Sequence, residues 1–212
     1  MSVSTLALEA FARKLSSGDP TPGGGSASAS VGAFAAGLVR MVALLTAGSP
    51  KFKEHAERAT AIGAEAERLL ETFLRCVDED VAAFDLVTAA FKMPKSADAE
   101  KSARAGAIQA ALLAATDPPM RVVDASLEVC KLAAELVDFG NPNAISDIGC
   151  AALFANAAAQ GAALNVGINA RGLKDRASAD AFEQRTRTAL AQVDLLTEVV
   201  LGKVHASIAA GA

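Results

Sequence analysis

The clearest chemical signal in this sequence is a carboxylate where an apolar side chain belongs. Ile62, Ala66, Leu69, Phe73, Val77, Asp80, Phe84, Val87 and Phe91 recur at steps of three and four, so Asp80 falls on the inward stripe of a helix. A carboxylate there must be hydrogen-bonded, paired or shifted in pKa, which is the environment in which acid/base residues are made. Arg104 shares a second such stripe with Ile108, Leu112 and Ala115. Two roles follow: a structural Asp80 to Arg104 pair in which each neutralises the other, or two charges lining a cleft between helices.

Two further groups flank these charges. Pro20-Thr21-Pro22-Gly23-Gly24-Gly25-Ser26 precedes an apolar helical run. Bare backbone N–H groups at such a helix start would welcome a carboxylate or phosphate, or the segment is a turn capped by Ser26. It lacks the Gly-Lys-Ser/Thr of a P-loop. Gly140-Asn141-Pro142-Asn143-Ala144-Ile145-Ser146-Asp147 reads as another helix start, with Ser146 as N-cap and Asp147 complementing the helix dipole. The helix that follows is small or apolar on nearly all faces, and Gly149, Ala157 and Gly161 would let neighbours approach closely. It ends with Asn165 and Asn169, four apart on one face, whose amides need backbone or ligand partners.

The elements that must hold these residues are helices. The chain has 212 residues, 52% hydrophobic and 4% aromatic, with no Trp or Tyr. Alanine, the best helix former, supplies roughly a quarter of it. Periodicity and breakers predict an all-α, single-domain bundle (1–212) of about seven helices. These run from Thr5 to Leu15, Ser26 to Thr46, Lys51 to Lys92, Asp98 to Thr116, Pro119 to Phe139, Ser146 to Asn169 and Asp180 to Ala209. The third, on the order of 60 Å long, must break near Gly63 or extend along a partner chain. The last carries a seam of Phe182, Leu190, Val193, Leu196, Val200 and Val204, which suits helix packing in a homodimer.

Charge and ligand counts exclude several functions. A formal net charge of −4 argues against nucleic acid or an anionic membrane as partner. Cys76, Cys130 and Cys150 are isolated, and His55 and His205 lie far apart, so neither a metal site nor histidine catalysis is expected. Sparse, unpaired cysteines and no signal-peptide core predict a cytoplasmic protein. The apolar stretches Val31 to Ala47 and Ala144 to Asn169 carry Arg40 and, in the second, Asp147, Asn156, Gln160, Asn165 and Asn169, and read as helices buried in protein.

Taken in order, P-T-P-G-G-G-S-A-S-A, D-V-A-A-F, M-P-K, R-A-G-A-I-Q, G-N-P-N-A-I-S-D and L-N-V-G-I-N resemble the cyclodeaminase/cyclohydrolase family of folate-processing enzymes. The resemblance spans about Phe11 to Asp175, with mild departures at Met93 and Cys150. It implies a helical homodimer with a tetrahydrofolate derivative as substrate, no cofactor and no metal. By motif it implies Asp80 as the catalytic residue. For substrate binding it implies Gly23, Gly24, Gly25, Ser26, Lys95, Arg104, Asn141, Asp147, Asn165 and Asn169. With no room for a formiminotransferase domain beside it, the chain is expected to be a methenyltetrahydrofolate cyclohydrolase. The alternatives are a formimidoyltetrahydrofolate cyclodeaminase and a helical dimer that binds without turnover.

Overall fold

A computed structural model describes residues 2–211. Among them are six α-helices, α1 (Leu8–Leu15), α2 (Gly24–Ala47), α3 (Ala56–Lys92), α4 (Asp98–Leu136), α5 (Ile145–Arg171) and α6 (Arg176–Ala209), and no strand. Short 3-10 turns at Pro50–His55 and Pro142–Ala144 lead into α3 and α5. The all-α expectation holds, with three changes in the elements. The start of the expected third helix is a 3-10 turn, because Pro50 opens it and Phe52 leaves helical geometry. Ser146 is not an N-cap: Ala144 occupies that position, and Asn141 caps the preceding turn by accepting from the Asn143 N–H. The helices expected on either side of Thr116-Asp117-Pro118-Pro119 are one continuous α4 of 39 residues.

Small residues at helical spacing build the core. The buried face of α5 is Ile148, Ala151, Ala152, Ala155, Ala158, Ala159, Ala162, Val166 and Ala170, so α2, α4 and α6 all pack closely against it. Gly161 is needed at one such approach, since a Cβ there would overlap the Ser28 hydroxyl of α2. Ala157, by contrast, faces outward. Both α2 and the segment 142–171 are long and apolar enough to cross a membrane, yet their small faces are spent on packing inside the bundle. The α6 seam is also used within the chain: Val193, Val200 and Val204 are buried against its own neighbours.

Helix α3 runs unbroken past Gly63, which is buried beside Ala43. Its stripe is buried at Ile62, Ala66, Phe73 and Val77, where α2 covers it. Helix α2 begins beside Asp80, and beyond that point α3 pairs with the first half of α4 as a projecting hairpin. That is why Phe84 and Phe91, on the same stripe, are 41% and 52% exposed. The core stripe opens into a cleft at its one carboxylate.

Candidate active site

The cleft lies where the N-terminus of α2, the middle of α3, the middle of α4 and the C-terminal end of α5 meet. Its volume is about 400 Å³, and Gly23, Gly24, Gly25, Asp80, Asn165 and Asn169 line it. Phe84, Val87, Leu112 and Ile168 supply an apolar wall. None of the described lining residues is Lys, Arg or His.

Asp80 is half-buried and held on one side only. Its Oδ2 accepts from the Ser26 N–H at 2.8 Å and lies 2.8 Å from the Ser26 hydroxyl, which also reaches the Val77 carbonyl at 3.1 Å. Ser26 is fully buried. Gly23 is the N-cap of α2, so Ser26 stands in the first turn and its N–H is one of the donors a helix start leaves unpaired. The positive end of the helix dipole therefore faces the carboxylate. The glycine-rich start thus receives a carboxylate, but it is the chain's own. Oδ1 makes no hydrogen bond within the described chain and lies against the bare Cα of Gly25. A Cβ there would sit 2.6 Å from the Asp80 carboxyl carbon, so no larger residue fits without displacing the group.

The two asparagines are also oriented by their neighbours. Asn169 Nδ2 donates to the Ala115 carbonyl at 2.8 Å. That carbonyl would normally accept from residue 119, four positions on, but Pro119 has no N–H. Asn169 supplies the missing donor, and α4 can pass through Pro118-Pro119 without breaking. Asn165 Nδ2 donates to the Gly161 carbonyl one turn back, at 3.0 Å.

The structure does not pair Asp80 with Arg104. The Arg104 Nε and Nη2 donate to the Phe91 carbonyl, at 3.3 and 3.0 Å, and its guanidinium carbon lies 5.6 Å from the Phe91 ring centroid. It caps the last turn of α3, whose carbonyls have no helical partner. Lys95 is exposed in the turn between α3 and α4, outside the cleft lining. Asn141 and Asp147 are at the other end of α5: the 18 residues from Asp147 to Asn165 span about 27 Å at 1.5 Å per residue. The Asn141 N–H donates to the Thr46 hydroxyl at 2.9 Å, a role in joining α4 to α5. The structure thus gathers Gly23, Gly24, Gly25, Ser26, Asp80, Asn165 and Asn169 and leaves Lys95, Arg104, Asn141 and Asp147 outside. Pro20, Thr21, Ala83 and Ile168 also line the cleft without having been assigned to the site from sequence, and the place of Ile168 one turn after Asn165 was the available signal for it.

A family model described as formiminotransferase-cyclodeaminase matches residues 7–188. The chain belongs to this family. The methenyltetrahydrofolate cyclohydrolase of Methylorubrum extorquens is 41% identical to this family member over 201 residues, covering 95% of this chain and 97% of its own. The formimidoyltransferase-cyclodeaminase of Rattus norvegicus is 30% identical over 210 residues, which is 94% of this chain and 37% of that protein. Among solved structures, the formiminotetrahydrofolate cyclodeaminase of Thermotoga maritima superposes with a TM-score of 0.88 at 27% identity, covering 97% of this chain and 99% of its own.

Proposed function

We propose that this chain is a methenyltetrahydrofolate cyclohydrolase, converting 5,10-methenyltetrahydrofolate and water to 10-formyltetrahydrofolate, with Asp80 as the proton carrier. The observation that carries the reading is the half-satisfied Asp80 carboxylate in a cleft lined by acceptors and apolar groups. The likeness at 41% identity along nearly the whole length of a cyclohydrolase supports it. The N5–CH–N10 bridge of the substrate is a cationic amidinium. A carboxylate attracts it, and Oδ1 takes a proton from the water whose oxygen bonds to the bridge carbon. That gives a neutral hydroxylated bridge. Asp80 then returns the proton to N5 as the C–N5 bond breaks, the carbon–oxygen bond becomes the formyl carbonyl, and the hydroxyl proton leaves. One proton is released overall, and neither a metal nor a cofactor takes part.

The same residues support a second reading, formimidoyltetrahydrofolate cyclodeaminase, which is favoured by the close structural likeness to the Thermotoga protein. In that reaction N10 attacks the formimino carbon and Asp80 protonates the departing ammonia. Lys95 and Arg104 fit the glutamate carboxylates: Arg104 continues the cleft-facing stripe of α4, eight residues or about 12 Å beyond Leu112. We further infer one domain over 1–212, acting as a cytoplasmic homodimer without nucleic acid or membrane as partner. The exposed apolar residues of the projecting hairpin, among them Phe84, Leu86 and Phe91, would be covered by the second copy.

The test follows loss of methenyltetrahydrofolate absorbance with purified protein, beside ammonia release from 5-formiminotetrahydrofolate. Turnover of the first supports the cyclohydrolase, release from the second alone supports the cyclodeaminase, and neither activity refutes both. Sedimentation as a monomer at micromolar concentration would refute the dimer.

A further inference from the structure

We infer the direction in which the folate lies: Asn165 and Asn169 present their side-chain carbonyl oxygens to the donor edge of the pterin, and the benzoyl arm runs the other way along Phe84, Val87 and Leu112. The inference rests on the folate reading above and deepens it.

It starts from the partners of the two amides. Asn169 faces the Ala115 carbonyl and Asn165 faces the Gly161 carbonyl. A carbonyl can only accept, so each amide must turn its NH2 group toward the helix backbone. Neither Oδ1 has a hydrogen-bond partner in the described chain, and neither is a buried atom left unsatisfied, so both oxygens reach solvent from residues that line the cleft. The cleft therefore offers two fixed acceptors one helical turn apart. Amides free to rotate could serve donors or acceptors equally, but these two cannot, because turning either one would set oxygen against oxygen.

A tetrahydropterin carries the matching groups. Its exocyclic 2-amino group and its ring N–H groups are donors on one edge, whereas the benzoyl-glutamate arm offers an aromatic ring, amide and carboxylates. The asparagines also stand beside the catalytic group. Asn165 Nδ2 is 3.7 Å from where a Cβ on Gly24 would lie, and Gly25 is the residue against Asp80. A bridge carbon at Asp80 Oδ1 thus leaves the pterin over the asparagines. The opposite wall is apolar and leads along α4 toward Arg104, which suits the arm and its carboxylates.

The experiment is a cycle between protein and substrate. It uses 5,10-methenyltetrahydrofolate and its analogue with the 2-amino group replaced by hydrogen, with wild type, Asn165→Ala, and Asn169→Ala in a Pro119→Ala background. Pro119→Ala restores an N–H to the Ala115 carbonyl, so the second variant leaves no orphan acceptor, and Pro119→Ala alone is its parent. Wild type is expected to prefer the natural substrate by about 10- to 100-fold in kcat/KM, since the interacting groups are only half-buried. Each asparagine variant is expected to raise KM for the natural substrate with kcat changed little, and to bring the preference down toward unity. Wild type that turns over both compounds equally overturns the inference and leaves the cyclohydrolase reading standing. A preference that survives in either variant overturns the assignment of that asparagine. Absence of turnover with the natural substrate in wild type instead overturns the reading on which the inference rests. If the double variant does not fold, Asn165→Ala decides the matter, because the Gly161 carbonyl keeps its helical partner without the side chain.

Discussion

Replacing Gly25 by alanine sets two known quantities against each other. Gly25 is buried in the first turn of α2, and alanine is worth roughly 0.5–1 kcal/mol more than glycine inside a helix, so propensity favours the change. The added Cβ would stand 2.6 Å from the Asp80 carboxyl carbon and 2.8 Å from Oδ2. Carbon atoms in contact prefer about 3.5–4.0 Å, so the carboxylate must retreat by about 1 Å. The hydrogen bonds from Ser26, 2.8 Å long, cannot survive that shift. Hydrogen bonds to a charged group contribute about 1.5–3 kcal/mol each, less here because Asp80 can turn toward water in the cleft. Even at half that value the two bonds outweigh the propensity gain, so the variant should lose about 1–2 kcal/mol of stability and still fold. Activity should not be spared, because a misplacement of about 1 Å at a reacting group costs on the order of 100-fold. Gly37→Ala is the control: it lies in the same helix with open space around it, so it shows the propensity gain alone and keeps full activity. The assay pairs kcat/KM for methenyltetrahydrofolate with thermal melts of both variants. Wild-type kcat/KM in Gly25→Ala would refute the placement of Asp80 at the chemistry.

Further outcomes follow from individual contacts. Asp80→Asn should abolish turnover while melting and sedimentation stay as in wild type; retained activity would remove Asp80 from the mechanism. Asn169→Ala leaves the Ala115 carbonyl unpaired and should cost about 1–3 kcal/mol in denaturant unfolding, most of it recovered in Asn169→Ala with Pro119→Ala; simple additivity would refute the pairing. Arg104→Ala should raise KM more for substrates with longer glutamate tails, and an equal effect on all tail lengths would leave Arg104 only its role at the end of α3. Asp78 accepts from the Ser2 hydroxyl at 2.7 Å, the Val3 N–H at 2.5 Å, and the Ser4 N–H and hydroxyl at 3.2 and 2.7 Å. Burial pushes its pKa up, but these hydrogen bonds outweigh that and hold it below the ordinary aspartate value. A depressed folded pKa means that the clamp is at full strength above the unfolded value of about 3.9 and is lost as pH falls through the folded one. Amide exchange in α1 should therefore quicken only in acid, and at neutral pH in Asp78→Ala; protection of α1 in that variant at pH 7 would refute the clamp.

How much of this was legible in the sequence depends on whether a neighbour alters the local rule. The stripe on α3 and its misfit Asp80 were legible, because three-and-four spacing fixes the face a residue shares. The partner of Asp80 was not. A carboxylate on an apolar stripe suggests a cation, and Arg104 stood on the facing stripe, but the compensation comes from Ser26 and the start of α2, fifty-four residues away in sequence. Helix starts donate hydrogen bonds without carrying a formal charge, so a search for opposite charges passes over them. The glycine-rich segment and Asp80 were noticed separately, and they are two halves of one contact.

Pro118-Pro119 shows the same limit from the other side. Two prolines inside a helical pattern ordinarily end it, because each removes a donor and crowds the carbonyl four residues back. Read locally, they divide α4, and Asn165 and Asn169 are two amides that lack partners. In the fold these two irregularities meet: Asn169 donates to the carbonyl that Pro119 leaves bare, and α4 continues. The consequence reaches the cleft. An asparagine that spends its NH2 group on the backbone has only its oxygen left for a ligand. Helix irregularity and ligand preference are thereby tied to one hydrogen bond, and Pro119→Ala separates them: it gives the Ala115 carbonyl a helical donor, while that carbonyl still faces the Asn169 amide. In that parent variant Asn169 stands as Asn165 does in wild type, beside a carbonyl that already has its helical partner, so turning it would still set oxygen against oxygen and the preference for a donor on the pterin should stay at the wild-type ratio.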